Sequence, residues 1–196
     1  MNQHYILGIC GYAQTGKDSV AEIAARRFGF KRYSFAQPLK DACAVLFDWG
    51  PEWFTGEGKA QRDPRWGITP REALQLLGTE YGQVDLQRIP EFAAKTGRLM
   101  WVRRAFETMW EMRDTRVVIS DLRFSHEAEE VHAQGGQVIR INRRGVGPRN
   151  LHESEIAVDS VEPDAVINND GSLSSLEDSV LTVVVGLTGL QPCACT

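Results

Sequence analysis

Cysteine is scarce in this 196-residue chain, and its four copies, Cys10, Cys43, Cys193 and Cys195, match neither a disulfide framework nor a tetrahedral zinc site. The closing CACT is C-x-C without a second ligand pair, so it gives metal binding little support. Long hydrophobic runs are missing: none approaches the roughly 18 residues of a membrane-crossing helix, and no charged-then-apolar leader opens the chain. No charge sign dominates either. A formal net charge of -4 gives no electrostatic reason to expect a nucleic-acid polymer or an anionic membrane as partner. A small phosphorylated ligand needs only local positive charge. Internal repeats and low-complexity tracts are absent, and 42% hydrophobic with 24% charged residues is ordinary globular usage, which excludes disordered and fibrous classes. The length suits one domain. The expectation is a soluble, reduced, cytoplasmic protein.

What is present is an alternation of strand and helix patterns. HYILGIC (residues 4 to 10) is a short strand-forming run, and KDSVAEIAARRF repeats apolar residues at helical spacing through Val20, Ile23, Ala24 and Phe28, giving strand, loop and helix with the helix over 16 to 28. KRYSF reads as a second strand stopped near Pro38, and LKDACAVLF as a helix with Leu39, Ala42, Cys43 and Leu46 on one face. From Trp49 to Pro70 the chain is crowded with Gly, Pro and Trp and shows no period, which predicts a long functional or disordered loop. TPREALQLLGTEYG predicts a helix with Thr69 as N-cap, Pro70 first, Glu72 in the first turn, and Gly78 or Gly82 near its end. LMWVRRAFETMWEM is a further amphipathic helix, with Trp101, Ala105, Met109 and Met112 roughly aligned. RVVISDLRF, QVIRINR and DAVINND read as strands, and SHEAEEVHAQGG and GSLSSLEDSVLTVVVGL as helices. Such alternation predicts an α/β fold, a parallel sheet covered on both sides.

GYAQTGKDSV carries the chemistry. Gly11, Gly16 and Lys17 match G-x-x-x-x-G-K-[ST], with Asp18 where the pattern has a hydroxyl and Ser19 one place later. By composition alone the three fixed positions recur in roughly one chain in twenty of this length, so the strand before and the helix after carry the assignment. A loop closing on a helix start aims backbone N–H groups and the helix dipole at one place, and phosphate suits it. Asp18 has two readings: an oxygen ligand for a magnesium ion that bridges phosphates, or a carboxylate that merely favours the helix N-terminus. Ser19 caps or touches the α-phosphate.

Ligands of open α/β sheets bind beyond the carboxyl ends of the strands, where SDLRF places Asp121 for a metal's water shell or a nucleophile and Arg123 for a phosphate. The bland alternative is a local ion pair between them. INRRG and the loop GVGPRNLHESE add Arg143, Arg144 and Arg149; Arg143, nearest the strand end, suits a transferring phosphoryl group, whereas solvated surface positions suit the other two equally well. His152 reads as structural, because phosphoryl transfer needs little acid or base help.

GYAQTGKDSV, YSFAQPLKDA, LLGTEYG, VVISDLRFSHEAE and VINNDGSLSSLE together resemble the deoxynucleoside monophosphate kinases of tailed bacteriophages, from about Tyr5 to about Leu181 and interrupted at the Trp-rich loop. The resemblance implies a three-layer P-loop fold, a five-stranded parallel sheet in the order 2-3-1-4-5 with helices on both faces, and ATP- and Mg2+-dependent transfer of the γ-phosphoryl group to a deoxynucleoside monophosphate for DNA precursor synthesis. It implies acceptor-binding and lid insertions at about 36–113 and 143–160. Gly11, Ala13, Gln14, Thr15, Gly16, Lys17, Asp18 and Ser19 would then hold the ATP phosphates, with Lys17 bridging β and γ, and Asn169 to Gly171 would border the adenine. Ser34 to Lys40 (Ser34, Phe35 and Lys40 foremost), Arg71, Gln75, Thr79 and Glu80 would flank the acceptor. Asp121 with Asp18 and Ser19 would serve the metal, Arg123 a phosphate, and Arg143 would be the lid arginine. The chain departs from the family at Gln83, where related sequences often carry arginine, and supplies Arg88 later. A homodimer is left open.

Other acceptors are alternatives. GKD loops also resemble those of animal-type phosphomevalonate kinases, and NDGSL that of dephospho-coenzyme A kinase. A non-catalytic nucleotide-binding module is a third reading; the second basic constellation of Arg71, Arg88, Arg123 and Arg143 argues against it.

Overall fold

The computed structural model describes residues 4–113, 115–148 and 157–193. Runs of β-branched and aliphatic residues form five strands: Tyr5–Cys10 (β1), Lys31–Tyr33 (β2), Arg116–Leu122 (β3), Gln137–Asn142 (β4) and Ala165–Asn168 (β5). All pair in parallel, in the order β2-β3-β1-β4-β5. The implied sheet order is therefore the observed one. Among the described residues the α-helices are Lys17–Phe28 (α1), Gln37–Phe47 (α2), Pro70–Gln75 (α3), Pro90–Thr96 (α4), Met100–Glu111 (α5), Ser125–Ala133 (α6) and Leu173–Thr188 (α7).

The described residues divide into two compact units: those up to Ser34 together with those from Met109 onward, and Phe35–Thr108. In the first unit, Leu7 and Ile9 of β1 and Ile139 and Ile141 of β4 pack with Val20, Ile23, Ala24 and Phe28 of α1 and Leu176, Val180 and Val184 of α7. Phe28 is fully buried, and truncating it to alanine would cost about 3–5 kcal/mol. Gly8 points to the opposite face, where a Cβ would press on Leu122, Val138 and Val131 of α6. Helices thus cover both faces of the sheet, as parallel strands require. Between Gly8 and Cys10 β1 advances two residues while β3 advances three, from Ile119 to Leu122, so β3 bulges at Ser120–Asp121. Bulges bend a strand and re-aim its side chains, and they concentrate beside active sites.

In the second unit the structure departs from the sequence pattern in four places. Residues 49–70 are not one long loop: 3-10 turns occupy Pro51–Phe54 and Gly56–Ala60, and 61–69 stay irregular. Their regularity comes from packing that no period announces: Trp49 stacks on Phe47 at 4.4 Å and on Trp53 at 5.7 Å, and its indole N–H donates to the buried Asp63 Oδ2 at 2.7 Å. The Arg65 guanidinium also donates to Asp63, at 2.8 Å, and holds that carboxyl well below its usual range. Pro38 does not stop a strand but lies in the first turn of α2, where its missing N–H costs nothing. Gly78 and Gly82 do not end a helix either: α3 passes into π-helix over Leu76–Val84. A Cβ at Gly82 would stand 2.5 Å from Trp101 Nε1, whose N–H donates to the Gly78 carbonyl at 3.2 Å, so these glycines serve close packing. Finally α4, over IPEFAAKTG, has too short an apolar pattern to be read as a helix. Thr69 does cap α3, in a reciprocal pair with Glu72: the Glu72 N–H donates to Thr69 Oγ1 at 3.2 Å and the Thr69 N–H to Glu72 Oε2 at 2.8 Å.

Candidate active site

β1 ends at Cys10 and α1 begins at Lys17, so residues 11 to 16 turn from strand to helix. Gly11 has φ 144° and Gly16 φ 103°, and a Cβ at Gly11 would approach the Ile141 carbonyl oxygen to 2.5 Å; both positions need glycine. Gln14 also takes a left-handed φ, 69°, and is exposed. Thr15 is fully buried, its hydroxyl donating to the Tyr12 carbonyl at 2.9 Å. Lys17 folds over the loop and donates from Nζ to the same carbonyl at 2.7 Å. An amine held across the mouth of a loop whose last turn opens a helix is positioned for a polyphosphate. Ala13 and Ser19 are half-buried beside it.

Asp18 lies in the first turn of α1 with its carboxylate 88% exposed, 3.9 Å from Arg32 Nη2, while Arg32 Nη1 donates to Glu22 at 2.7 Å. Asp121, on the bulge, accepts from the Ser34 hydroxyl at 2.5 Å. Arg123 follows β3, and its backbone N–H donates to Glu127 Oε2 at 2.7 Å; the Phe124 N–H donates to the same oxygen at 3.1 Å. Glu127 is buried, and the loss of water pushes its carboxyl up to about 7, with the negative charge of Asp121 adding to the rise and the two N–H bonds opposing it. Arg143 is exposed just beyond β4. Beyond β5, Asn169 Nδ2 donates to the Thr15 carbonyl at 2.8 Å, and Asp170 Oδ1 accepts from the Arg144 N–H at 2.6 Å. Gly171 precedes α7. The glycine loop, Asp121, Arg123, Arg143 and Asn169 thus stand at the carboxyl ends of β1, β3, β4 and β5, four adjacent parallel strands.

The other predicted acceptor residues belong to the second unit. Phe35 is buried, edge-on to Phe106 at 5.8 Å; Thr79 is buried in the π-helix; Lys40 and Gln75 are half-buried; Arg71 and Glu80 are exposed. Arg88 is exposed and pairs with Asp85 at 3.1 Å. At buried Gln83 the structure brings in a guanidinium not singled out in the sequence: Arg98 Nη2 donates to Gln83 Oε1 at 3.0 Å. Glu127, three residues past the N-cap Phe124, also escaped the sequence reading, because Phe124 carries no capping oxygen that would mark a capping box. Arg149, His152 and Cys195 lie outside the described residues. Cys193 is exposed with its backbone N–H donating to the Arg27 carbonyl. Among the described residues no three His, Cys, Asp or Glu side chains cluster as a metal cage, and no helix is long and apolar enough to cross a membrane.

Three comparisons bear on this arrangement. The family described as deoxynucleotide monophosphate kinase matches residues 61–180. A protein of Acanthamoeba polyphaga mimivirus named "Putative deoxynucleotide monophosphate kinase" is 33% identical over 187 residues, covering 91% of this chain and 95% of its own. Among solved structures, shikimate kinase from Aquifex aeolicus superposes with a TM-score of 0.48 at 13% identity, covering 94% of this chain and 99% of that one. Dephospho-CoA kinase from Campylobacter jejuni does so at 0.46 and 16%, covering 94% and 97%.

Proposed function

The chain belongs to the deoxynucleotide monophosphate kinase family and is a kinase, and we propose that it transfers the γ-phosphoryl group of ATP to a deoxynucleoside 5'-monophosphate, yielding a deoxynucleoside diphosphate for DNA synthesis. The observation that carries this reading is the convergence of a glycine loop and its lysine with Asp121, Arg123 and Arg143 at the carboxyl edge of one sheet. Phosphoryl transfer asks for positioning and charge compensation more than for acid or base groups, and these residues offer both.

Gly11, Ala13, Gln14, Thr15 and Gly16 supply the loop that wraps the ATP phosphates. Lys17 leaves the Tyr12 carbonyl and bridges the β- and γ-phosphates. Asn169 and Gly171 border the adenosine half. The carboxylates of Asp18 and Asp121 and the hydroxyl of Ser19 are hard oxygen donors of the kind Mg2+ takes, and would hold it together with phosphate oxygens. When bound, the ion neutralises charge on the phosphates. The Ser34 hydroxyl orients Asp121 through the 2.5 Å hydrogen bond. Arg123 and Arg143 meet the charge that spreads over the transferring group's oxygens, Arg143 as the lid arginine. Acceptor binding falls to Ser34, Phe35, Lys40, Arg71, Gln75, Thr79, Glu80 and Arg88; for buried Phe35 the role is to shape the wall rather than to touch phosphate.

The test is ADP release coupled to an optical readout, with ATP, Mg2+ and each of the four deoxynucleoside monophosphates, and with ribonucleotides, phosphomevalonate and dephospho-coenzyme A in parallel. Turnover with a deoxynucleotide supports the assignment and gives the base preference. Turnover with one of the last two alone would replace it.

A further inference from the structure

Asn169 and Thr15 are 154 positions apart in sequence, yet the asparagine amide donates to the Thr15 carbonyl at 2.8 Å. The same amide nitrogen occupies the space that a Cβ at Gly16 would need. We infer that Asn169 is a positioning residue of the phosphate loop: its side chain fixes the Thr15–Gly16 peptide, and through that peptide the loop's grip on phosphate, instead of reading the nucleotide base. The inference rests on the phosphate-loop reading above and specifies how one of its residues acts.

The geometry gives the reason. A peptide unit is planar and trans, so its C=O and N–H point in opposite senses. Holding the Thr15 carbonyl against Asn169 therefore points the Gly16 N–H the opposite way within the peptide plane, away from Asn169, where it is free to serve phosphate. The Thr15 hydroxyl donates within the loop, to the Tyr12 carbonyl, whereas the Asn169 amide reaches the Thr15 carbonyl from beyond β5. Asn169 is itself firmly based. Its N–H donates to the Asn142 carbonyl at 2.8 Å, extending the β4–β5 ladder by one rung, and the next residue, Asp170, accepts from the Arg144 N–H at 2.6 Å. A side chain held by a sheet edge can hold a loop in turn. The Asn-Asp pair links the phosphate loop on one side to the start of the arginine loop on the other.

The test measures binding of inorganic tripolyphosphate with Mg2+, which has phosphates and no base, beside ATP with Mg2+, by titration calorimetry. Asn169→Ala and the nearly isosteric Asn169→Asp both remove the donor, and the second sets an acceptor oxygen against the Thr15 carbonyl. Each should weaken tripolyphosphate and ATP by the same factor, about tenfold for one lost hydrogen bond, with the aspartate at least as severe and circular dichroism unchanged. Weakened ATP with unchanged tripolyphosphate would overturn the inference in favour of a base contact, and so would unchanged binding of both. Lys17→Ala separates the layers. If it abolishes tripolyphosphate binding while both Asn169 variants bind normally, only the inference fails; if the wild-type protein binds no tripolyphosphate, or Lys17→Ala binds it equally well, the phosphate-loop reading fails with it.

Discussion

Glu127 makes a prediction that can be followed from atoms to a number. It is 7% exposed, and its Oε2 accepts the backbone N–H groups of Arg123 and Phe124, tying the turn that carries Arg123 to the start of α6. Burial pushes its carboxyl from 4.5 to about 7. Between those values the folded protein keeps a proton that the unfolded chain has lost. The stability this contributes is therefore full below the unfolded value and disappears as pH rises through about 7. The gap corresponds to about 3 kcal/mol. Glutamine has the same shape, can accept both N–H groups on its carbonyl oxygen in the place of Oε2, and does not ionise. In urea unfolding at pH about 4.5 and pH about 8, the stability of Glu127→Gln relative to wild type should accordingly rise by about 3 kcal/mol from the lower pH to the higher. Parallel pH curves for the two proteins would refute the reasoning, because they would mean that Glu127 titrates alike in the folded and unfolded states.

Lys17→Ala should cut turnover by several orders of magnitude with the far-ultraviolet spectrum unchanged, since a contact to the transferring phosphate counts chiefly in the transition state; activity within roughly fivefold of wild type would remove Lys17 from the site. Asp18→Asn should weaken the apparent affinity for Mg2+ more than that for ATP in steady-state kinetics, and equal losses would favour a purely electrostatic role at the helix start. Trp49→Phe keeps the stack on Phe47 but takes a donor from buried Asp63, and should lower the melting temperature by roughly 3 °C or more, measured by calorimetry; an unchanged value would show that Arg65 alone satisfies the carboxylate.

Period and punctuation made the sheet unit legible. The apolar runs of β1, β3 and β4 and the stripe of Val20, Ile23, Ala24 and Phe28 in α1 are local signals, and local signals suffice where each strand is followed by its own crossover helix. The glycine loop was legible for the same reason: its left-handed residues at 11 and 16 allow little besides glycine, so the geometry is written in the residue type. What stayed hidden depends on partners far away in sequence. Trp49, Asp63 and Arg65 become a core only when brought together, and the glycines of GTEYG acquire meaning from Trp101 and Leu39. The bulge at Asp121 is a register difference between two strands and has no residue signature. Glu127 lies in the charged run SHEAEE, where nothing local distinguishes the acid that packs inside from those that do not.

Beside the metal-ligand and helix-end readings of Asp18, the structure allows a third to be weighed, a structural ion pair. If Asp18 were there to complete a structural ion pair, a close partner would be expected. The nearest guanidinium nitrogen is at 3.9 Å, and Arg32 gives its short contact, 2.7 Å, to Glu22 instead. An exposed pair at that distance is worth little. If Asp18 served only the positive end of the helix, any exposed acid in the first turn would do, and nothing would tie it to the residue directly after the loop lysine. That place has a chemical consequence. On the proposed phosphate-loop reading, a bare carboxylate there would repel phosphate and make nucleotide binding depend on a cation to reverse the sign, whereas a hydroxyl at the same position would tolerate phosphate with or without one. On the proposed metal reading the nucleotide would enter as its metal complex, and the Asp18→Asn variant, relieved of that repulsion, should bind metal-free ATP more tightly than the wild-type protein does; equal or weaker binding in a calorimetric titration without Mg2+ would count against that reading.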